Sequence, residues 1–289
     1  MPTHYSSSHF SPSLRGRLVL CWVLLAMASV AQAQTQASCT FTLFKPQISS
    51  GVNDWGTTVG SLGGKAAIRY AGGAVSYYLP PGALGSSFFA RNDSGVTTGS
   101  YTDASGNQHA FMLKGSTLTQ IVDPKAVPFE TFVSGINRWK STVGSYLDSR
   151  INGSFHGFKR YSNGSFIDLD YPVADLSLPH GTSPAGINDS GVIVGSYAAD
   201  FSVNSQRGFI YHNGQWATVD AGDQYTFLNG IGNAGVIVAF TGAQSFLYAN
   251  GTFKLINVPN SVMTEVDGMA PGGLISGRTL LYGFTATCH

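Results

Sequence analysis

Internal repetition constrains this chain more than any other feature. Gly51-Val-Asn-Asp-Trp-Gly-Thr-Thr-Val-Gly60-Ser61, Ala90-Arg-Asn-Asp-Ser-Gly-Val-Thr-Thr-Gly99-Ser100, Gly135-Ile-Asn-Arg-Trp-Lys-Ser-Thr-Val-Gly144-Ser145 and Gly186-Ile-Asn-Asp-Ser-Gly-Val-Ile-Val-Gly195-Ser196 align without gaps. Two weaker copies follow, Gly230-Ile-Gly-Asn-Ala-Gly-Val-Ile-Val-Ala239 and Gly268-Met-Ala-Pro-Gly-Gly-Leu-Ile-Ser-Gly277. The starts lie 39, 45, 51, 44 and 38 residues apart, a period of propeller blades or paired-helix repeats. Units of this size bury their apolar faces only against one another.

Composition and turn chemistry separate strands from helices. Gly191 to Tyr197, Arg207 to His212 and Gln215 to Asp220 are β-rich runs, and Asn213-Gly214 between the last two is the preferred pair for a two-residue type I′ hairpin. No window shows a capped 3.6-residue apolar period. Each unit therefore reads as a four-stranded antiparallel meander, strands A to D. Six of them predict an all-β, six-bladed β-propeller; a β-helix is the runner-up, but its coils are shorter than these units. The glycines at the first and tenth positions are expected to let backbones approach near the axis.

The sixth unit runs out at Leu281-Tyr-Gly-Phe284-Thr-Ala-Thr-Cys288, which reads as strand C. Its missing strand D is supplied by Thr40-Phe41-Thr42-Leu43-Phe44, which resembles Thr252-Phe253-Lys254-Leu255-Ile256 of the fifth unit. Setting Phe246 against Phe284 places Asn250 opposite Cys288, and setting Thr252 against Thr40 places Gly251 opposite Cys39. The two cysteines thus occupy the turn of a hairpin whose connecting peptide is absent, and a Cys39–Cys288 disulfide is expected to close the ring.

Arg15 and Arg17 precede an apolar run from Leu18 to Val30 and then Ala31-Gln32-Ala33, the pattern of a secretory signal with cleavage after Ala33. At 13 residues the run falls short of the about 20 that a membrane span needs. Residues 1–33 are therefore expected to be removed, leaving 34–289 as one six-repeat domain that is secreted, extracellular or periplasmic. Cys21 leaves with the signal, and Cys39 and Cys288 remain in a compartment where disulfides persist. With 16 Lys plus Arg against 15 Asp plus Glu, no global field steers the protein to nucleic acid or anionic lipid. Glycine at 36 of 289 lacks the third-residue period of collagen, and 12% aromatic residues argue against disorder.

His109-Ala110-Phe111 and His156-Gly157-Phe158 open strand C, with Arg207-Gly208-Phe209 at the same place. Together with the Gly-Ile-Asn-Asp-Ser-Gly segments, these resemble the bacterial extracellular HAF-repeat family over about residues 40 to 288. Units five and six depart from the pattern, lacking the third-position Asn and the His before Phe. The resemblance implies a secreted repeat protein with a propeller-like fold and carries no established reaction.

Several constellations invite a chemical reading. Gly230-Ile-Gly232-Asn-Ala-Gly235 matches the dinucleotide fingerprint, but it sits between two strands with no helix to receive a pyrophosphate, so no cofactor is expected. Asn-Asp-Ser-Gly at 92–95 and 188–191 reads as an Asx turn rather than a calcium shell, and no metal is expected. His109 and His156 recur one unit apart, which favours a structural hydrogen bond. There is no Gly-x-Ser-x-Gly and no His-Glu-x-x-His. Asp168, Asp170, Asp175 and His180 fall in the D-to-A segment of the third unit; as paired carboxylates near the central opening they are the candidates for glycan cleavage, against ordinary solvated loop charges. Trp55 and Trp139 share the fifth position of their units, on the A-to-B turn, where exposed rings stack on sugars or anchor a protein partner. The favoured function is a non-catalytic binding or surface scaffold for a glycan, matrix component or protein. The alternative is a secreted carbohydrate-active hydrolase or lyase.

Overall fold

The computed structural model describes residues 35–148, 154–172, 181–199, 206–222, 225–242 and 244–289. Asp175 and His180 lie outside the described residues. The described residues hold strands and turns but no helix, arranged as four-stranded antiparallel sheets. The described strands open with β1 (Cys39–Phe44), which belongs to the last blade. Blade 1 follows as β2 (Gly51–Val52), β3 (Thr58–Leu62), β4 (Lys65–Arg69) and β5 (Val75–Tyr78). Blade 2 is β6 (Gly85–Arg91), β7 (Thr97–Thr102), β8 (Gln108–Lys114) and β9 (Thr117–Ile121). Blade 3 is β10 (Ala126–Ile136), β11 (Thr142–Asp148), β12 (Ser154–Arg160) and β13 (Phe166–Asp168). Blade 4 is β14 (Thr182–Ile187), β15 (Ile193–Ala198), β16 (Gln206–His212) and β17 (Gln215–Val219). Blade 5 is β18 (Phe227–Ile231), β19 (Ile237–Thr241), β20 (Gln244–Ala249) and β21 (Thr252–Ile256). Blade 6 is β22 (Glu265–Met269), β23 (Ile275–Arg278), β24 (Gly283–Cys288) and then β1.

The six sheets form a six-bladed β-propeller. Residues from all six first strands line one cavity of 280 Å³, which fixes the axis. The core lies between blades rather than within them. Val59 and Ala66 of blade 1 pack on Phe88 and Phe111 of blade 2, and Ala110 and Ile121 of blade 2 on Val133 and Phe158 of blade 3. Three more clusters join blades 3 and 4, 4 and 5, and 5 and 6. The strand-C phenylalanines Phe111, Phe158, Phe209, Phe246 and Phe284 are all fully buried there.

Ring closure follows the expected register. Cys39 pairs with Cys288 and Leu43 with Phe284 in blade 6, as Leu255 pairs with Phe246 in blade 5. In blade 5 the turn is made by Asn250 (φ 50°) and Gly251 (φ 77°); in blade 6 a Cys39–Cys288 disulfide of 2.04 Å stands in its place. Just before β1, the Ala37 N–H donates to the Leu255 carbonyl (2.8 Å) and the Leu255 N–H to the Thr35 carbonyl (2.9 Å). This parallel pairing of residues 35–37 covers the outer edge of β21, which open pairing groups would otherwise leave exposed.

The two glycine positions divide their work, which corrects one expectation. A Cβ on the first-position Gly51 would stand 2.4 Å from the Phe89 carbonyl oxygen, and one on Gly230 2.7 Å from the Met269 nitrogen, so these glycines do let neighbouring first strands meet near the axis. The tenth-position glycines act inside their own blade. A Cβ on Gly195 would meet the Ser183 carbonyl oxygen at 2.2 Å and the Phe209 ring at 2.9 Å, so this glycine makes room for the buried ring.

Candidate functional site

The A-to-B turns repeat one hydrogen-bond scheme. Asn53, Asn92, Asn137 and Asn188 are buried, and each Oδ1 accepts from the backbone N–H four residues on, at 2.9–3.0 Å. Three of these side chains also reach the next blade: Nδ2 of Asn92 donates to the Asn137 carbonyl (2.9 Å), Asn137 to Asn188 (3.1 Å) and Asn188 to Gly232 (3.2 Å). The fourth position adds an outer latch. The backbone N–H of Asp54 donates to the Asp93 carboxylate (2.9 Å), that of Arg138 to Asp189 (2.9 Å), and that of Gly272 to Asp54 (2.6 Å). These carboxylates thus serve as acceptors between blades, and burial raises the Asp93 carboxyl above its ordinary value. Among the described residues, no three His, Cys, Asp or Glu side chains are grouped to hold a metal ion.

Trp55 and Trp139 stand on this face, 69% and 56% exposed. The two indoles are held alike. Trp55 Nε1–H donates to the Asp93 carbonyl (3.4 Å) and Trp139 Nε1–H to the Asp189 carbonyl (3.0 Å), each across a seam to the following blade. The Arg138 guanidinium lies 4.2 Å from the Trp139 ring centre. Both rings are therefore oriented at one edge and open to solvent at the other.

The opposite face carries the candidate acids. A tyrosine on the second strand faces the opening of the third strand across the pair: Tyr101 opposite His109, Tyr146 opposite His156 and Tyr197 opposite Arg207. His109 Nε2 shares a hydrogen bond with Asp103 (2.8 Å), His156 Nδ1 with Asp170 (3.0 Å), and Arg207 pairs with Asp220 (2.8 Å). The His109 bond holds the Asp103 carboxyl well below the usual carboxylate range. The Asp170 bond raises His156 against the opposing effect of burial. Each tyrosine hydroxyl also meets the fourth strand: Tyr101 with Gln120 (2.9 Å), Tyr146 with Asp168 (3.1 Å), Tyr197 with Thr218 (3.1 Å). An amide, a carboxylate and a hydroxyl thus fill one structural position. Asp168 also pairs with Lys125. It lies on β13, the outermost strand of blade 3, whereas the axial cavity is lined by first strands, so the structure sets Asp168 apart from the central opening.

One carboxylate does reach the axis. Asp267 on β22 lines the 280 Å³ cavity with Asn229 and Ser134, and accepts from Ser49 Oγ (2.8 Å) and Arg278 Nη1 (2.7 Å). Burial outweighs both bonds and pushes its carboxyl up to about 7. The only signal in the sequence was that Asp267 replaces the Ser50, Ser134 and Asn229 of other units just before the first-position glycine.

No protein-family model matches the chain, and no curated protein matches it by sequence. Solved structures resemble it in shape. A catalytically inactive virginiamycin B lyase from Staphylococcus aureus with quinupristin is 11% identical, covering 87% of this chain and 99% of its own, with a TM-score of 0.51. A streptogramin B lyase is 10% identical, covering 88% and 98%, with a TM-score of 0.50. At such identity the likeness is one of fold alone.

Proposed function

We propose that the protein is an exported, non-catalytic binding propeller of the HAF-repeat type, released by cleavage after Ala33 and engaging a cell-surface glycan, matrix component or protein. The observation that carries this reading is the pair Trp55 and Trp139. Two large rings are kept in solvent while a hydrogen bond across a blade seam fixes their orientation, so little conformational entropy remains to be lost on binding. The rim acids support it from the other side, since Asp168 and Asp170 are engaged by Lys125, Tyr146 and His156. Pull-down of envelope and polysaccharide material should fall sharply for Trp55→Ala combined with Trp139→Ala, with the melting curve unchanged. Undiminished capture would remove the aromatic face as the binding surface.

A hydrolase or lyase is the second reading, supported by the raised His156 beside Asp170 on blade 3. It requires turnover of a glycoside, ester or lactone that Asp168→Asn, Asp170→Asn or His180→Ala abolishes.

A further inference from the structure

The crossover from β9 into blade 3 departs from the others. β10 runs 11 residues, whereas the other first strands run from 2 to 7, and its early part loses register between Ala126 and Thr131. Within that stretch Phe129 has φ 70°, a backbone region that a bulky side chain with a Cβ rarely adopts. Core packing does not explain the strain, because Phe129 is 45% exposed. Its ring stands edge-on to His109, with centroids 5.0 Å apart. His109 in turn stacks on Tyr101 at 4.7 Å and is fixed by Asp103. Beside this stack lies a cavity of 350 Å³, lined by Gln108, His109, Gln120, Asp123, Phe129 and Thr131 among others.

The hydrogen-bonding capacity left at these walls is mixed. Each carboxamide uses one of its two N–H donors within the blade, Gln108 Nε2 on Ser100 Oγ (3.1 Å) and Gln120 Nε2 on the Tyr101 hydroxyl (2.9 Å), and keeps the other together with its oxygen. His109 Nε2 is engaged by Asp103. One Asp123 oxygen takes the Lys125 backbone N–H (2.9 Å). What remains is two carboxamides, each with a donor and an acceptor, and a carboxylate oxygen. Such walls suit a ligand whose groups both donate and accept, while the phenyl ring calls for an apolar face. A ring bearing hydroxyls around one apolar face meets both demands. The volume sits near the lower end of the about 300–1,000 Å³ typical of small-molecule sites, which suits one ring rather than a chain.

We propose that this cavity binds a single pyranose residue, with Phe129 as its stacking wall and the Gln108, Gln120 and Asp123 oxygens accepting its hydroxyls. The site lies at the end of the blades opposite Trp55 and Trp139 and is independent of them. Saturation-transfer NMR with methyl glycosides of glucose, galactose, mannose and N-acetylglucosamine should show saturable binding of at least one sugar to the whole mature protein. Phe129→Gly should weaken it at least about tenfold, because the ring is lost while glycine accepts the positive φ, so the melting temperature should hold or rise. Phe129→Tyr should restore binding, and the double tryptophan variant should bind as the parent does. Absence of saturable binding to all four sugars, or equal binding by Phe129→Gly, would overturn the proposal and leave the tryptophan face to its own test.

Discussion

Lys140 occupies a turn position that glycine fills in the other five units. Gly56, Gly95, Gly191, Gly235 and Gly273 all have positive φ there, and Lys140 is forced to φ 64°. A left-handed backbone costs an ordinary L-residue roughly 1–2 kcal/mol. Lys140→Gly should therefore stabilise the protein by about 1 kcal/mol in urea titration, the extra chain entropy of glycine offsetting part of the relief. At this scale the sequence was legible where the bond is local: at Asn53, Asn92 and Asn188 an Asn followed three residues later by Gly announces its Asx turn. The other half of Asn92, Asn137 and Asn188, the Nδ2 bond to the next blade, was not legible. It depends on how two units meet, which the repeat pattern of one unit does not encode. Phe129 was hidden for a related reason, since nothing in Pro128-Phe129-Glu130 signals a positive φ.

Blades 2, 3, 4 and 6 each couple a glycine on the second strand to a phenylalanine on the third. Phe209 is fully buried, with its ring over Gly195 and against Val143 and Ile187 of the seam. Phe209→Ala should cost about 3–5 kcal/mol by denaturant unfolding, in the range for a fully buried ring. Strand positions were readable from β-branched runs and Asn-Gly pairs, and β16 and β17 fall close to where Asn213-Gly214 places them. The tenth glycine was assigned to the axis because a glycine repeated in five of the six units reports close approach without naming what approaches. The parallel strap of residues 35–37 was not foreseen either, since three residues carry no period.

Around the whole ring the seams are unequal. Five junctions each have an apolar cluster; among the described residues, the seam between blades 6 and 1 is crossed by Ser49 to Asp267, Gln47 to the Thr279 carbonyl, the Gly272 N–H to Asp54, and Arg69 over the Phe44 ring. Closure therefore leans on the β1–β24 pairing and its disulfide, which spans 249 residues. Cys39→Ala with Cys288→Ala should lower stability by up to about 5 kcal/mol in chemical denaturation. Stability should also fall as pH rises from about 5 to 8. Asp267, pushed up to about 7, is neutral in the folded protein over pH values where the unfolded chain already ionises, so folding loses protons' help as pH climbs through that value. His156 acts in the same direction, since its raised value makes its contribution complete below the ordinary histidine range and lost above. Thermal melts of Asp267→Asn and His156→Asn should each show a flatter pH profile than the parent. The ring and its register could be read from the sequence because Thr40–Phe44 copies Thr252–Ile256; the polar character of its closing seam could not, because no other unit repeats it.

Since the two half-cystines stand where blade 5 has Asn250 and Gly251, the molecule is topologically indifferent to where its backbone starts. Joining position 288 to position 39 through an Asn-Gly peptide and cutting instead between Asn213 and Gly214 would give a circular permutant whose sixth sheet is continuous and whose fourth is discontinuous. Such a protein should assemble under reducing conditions.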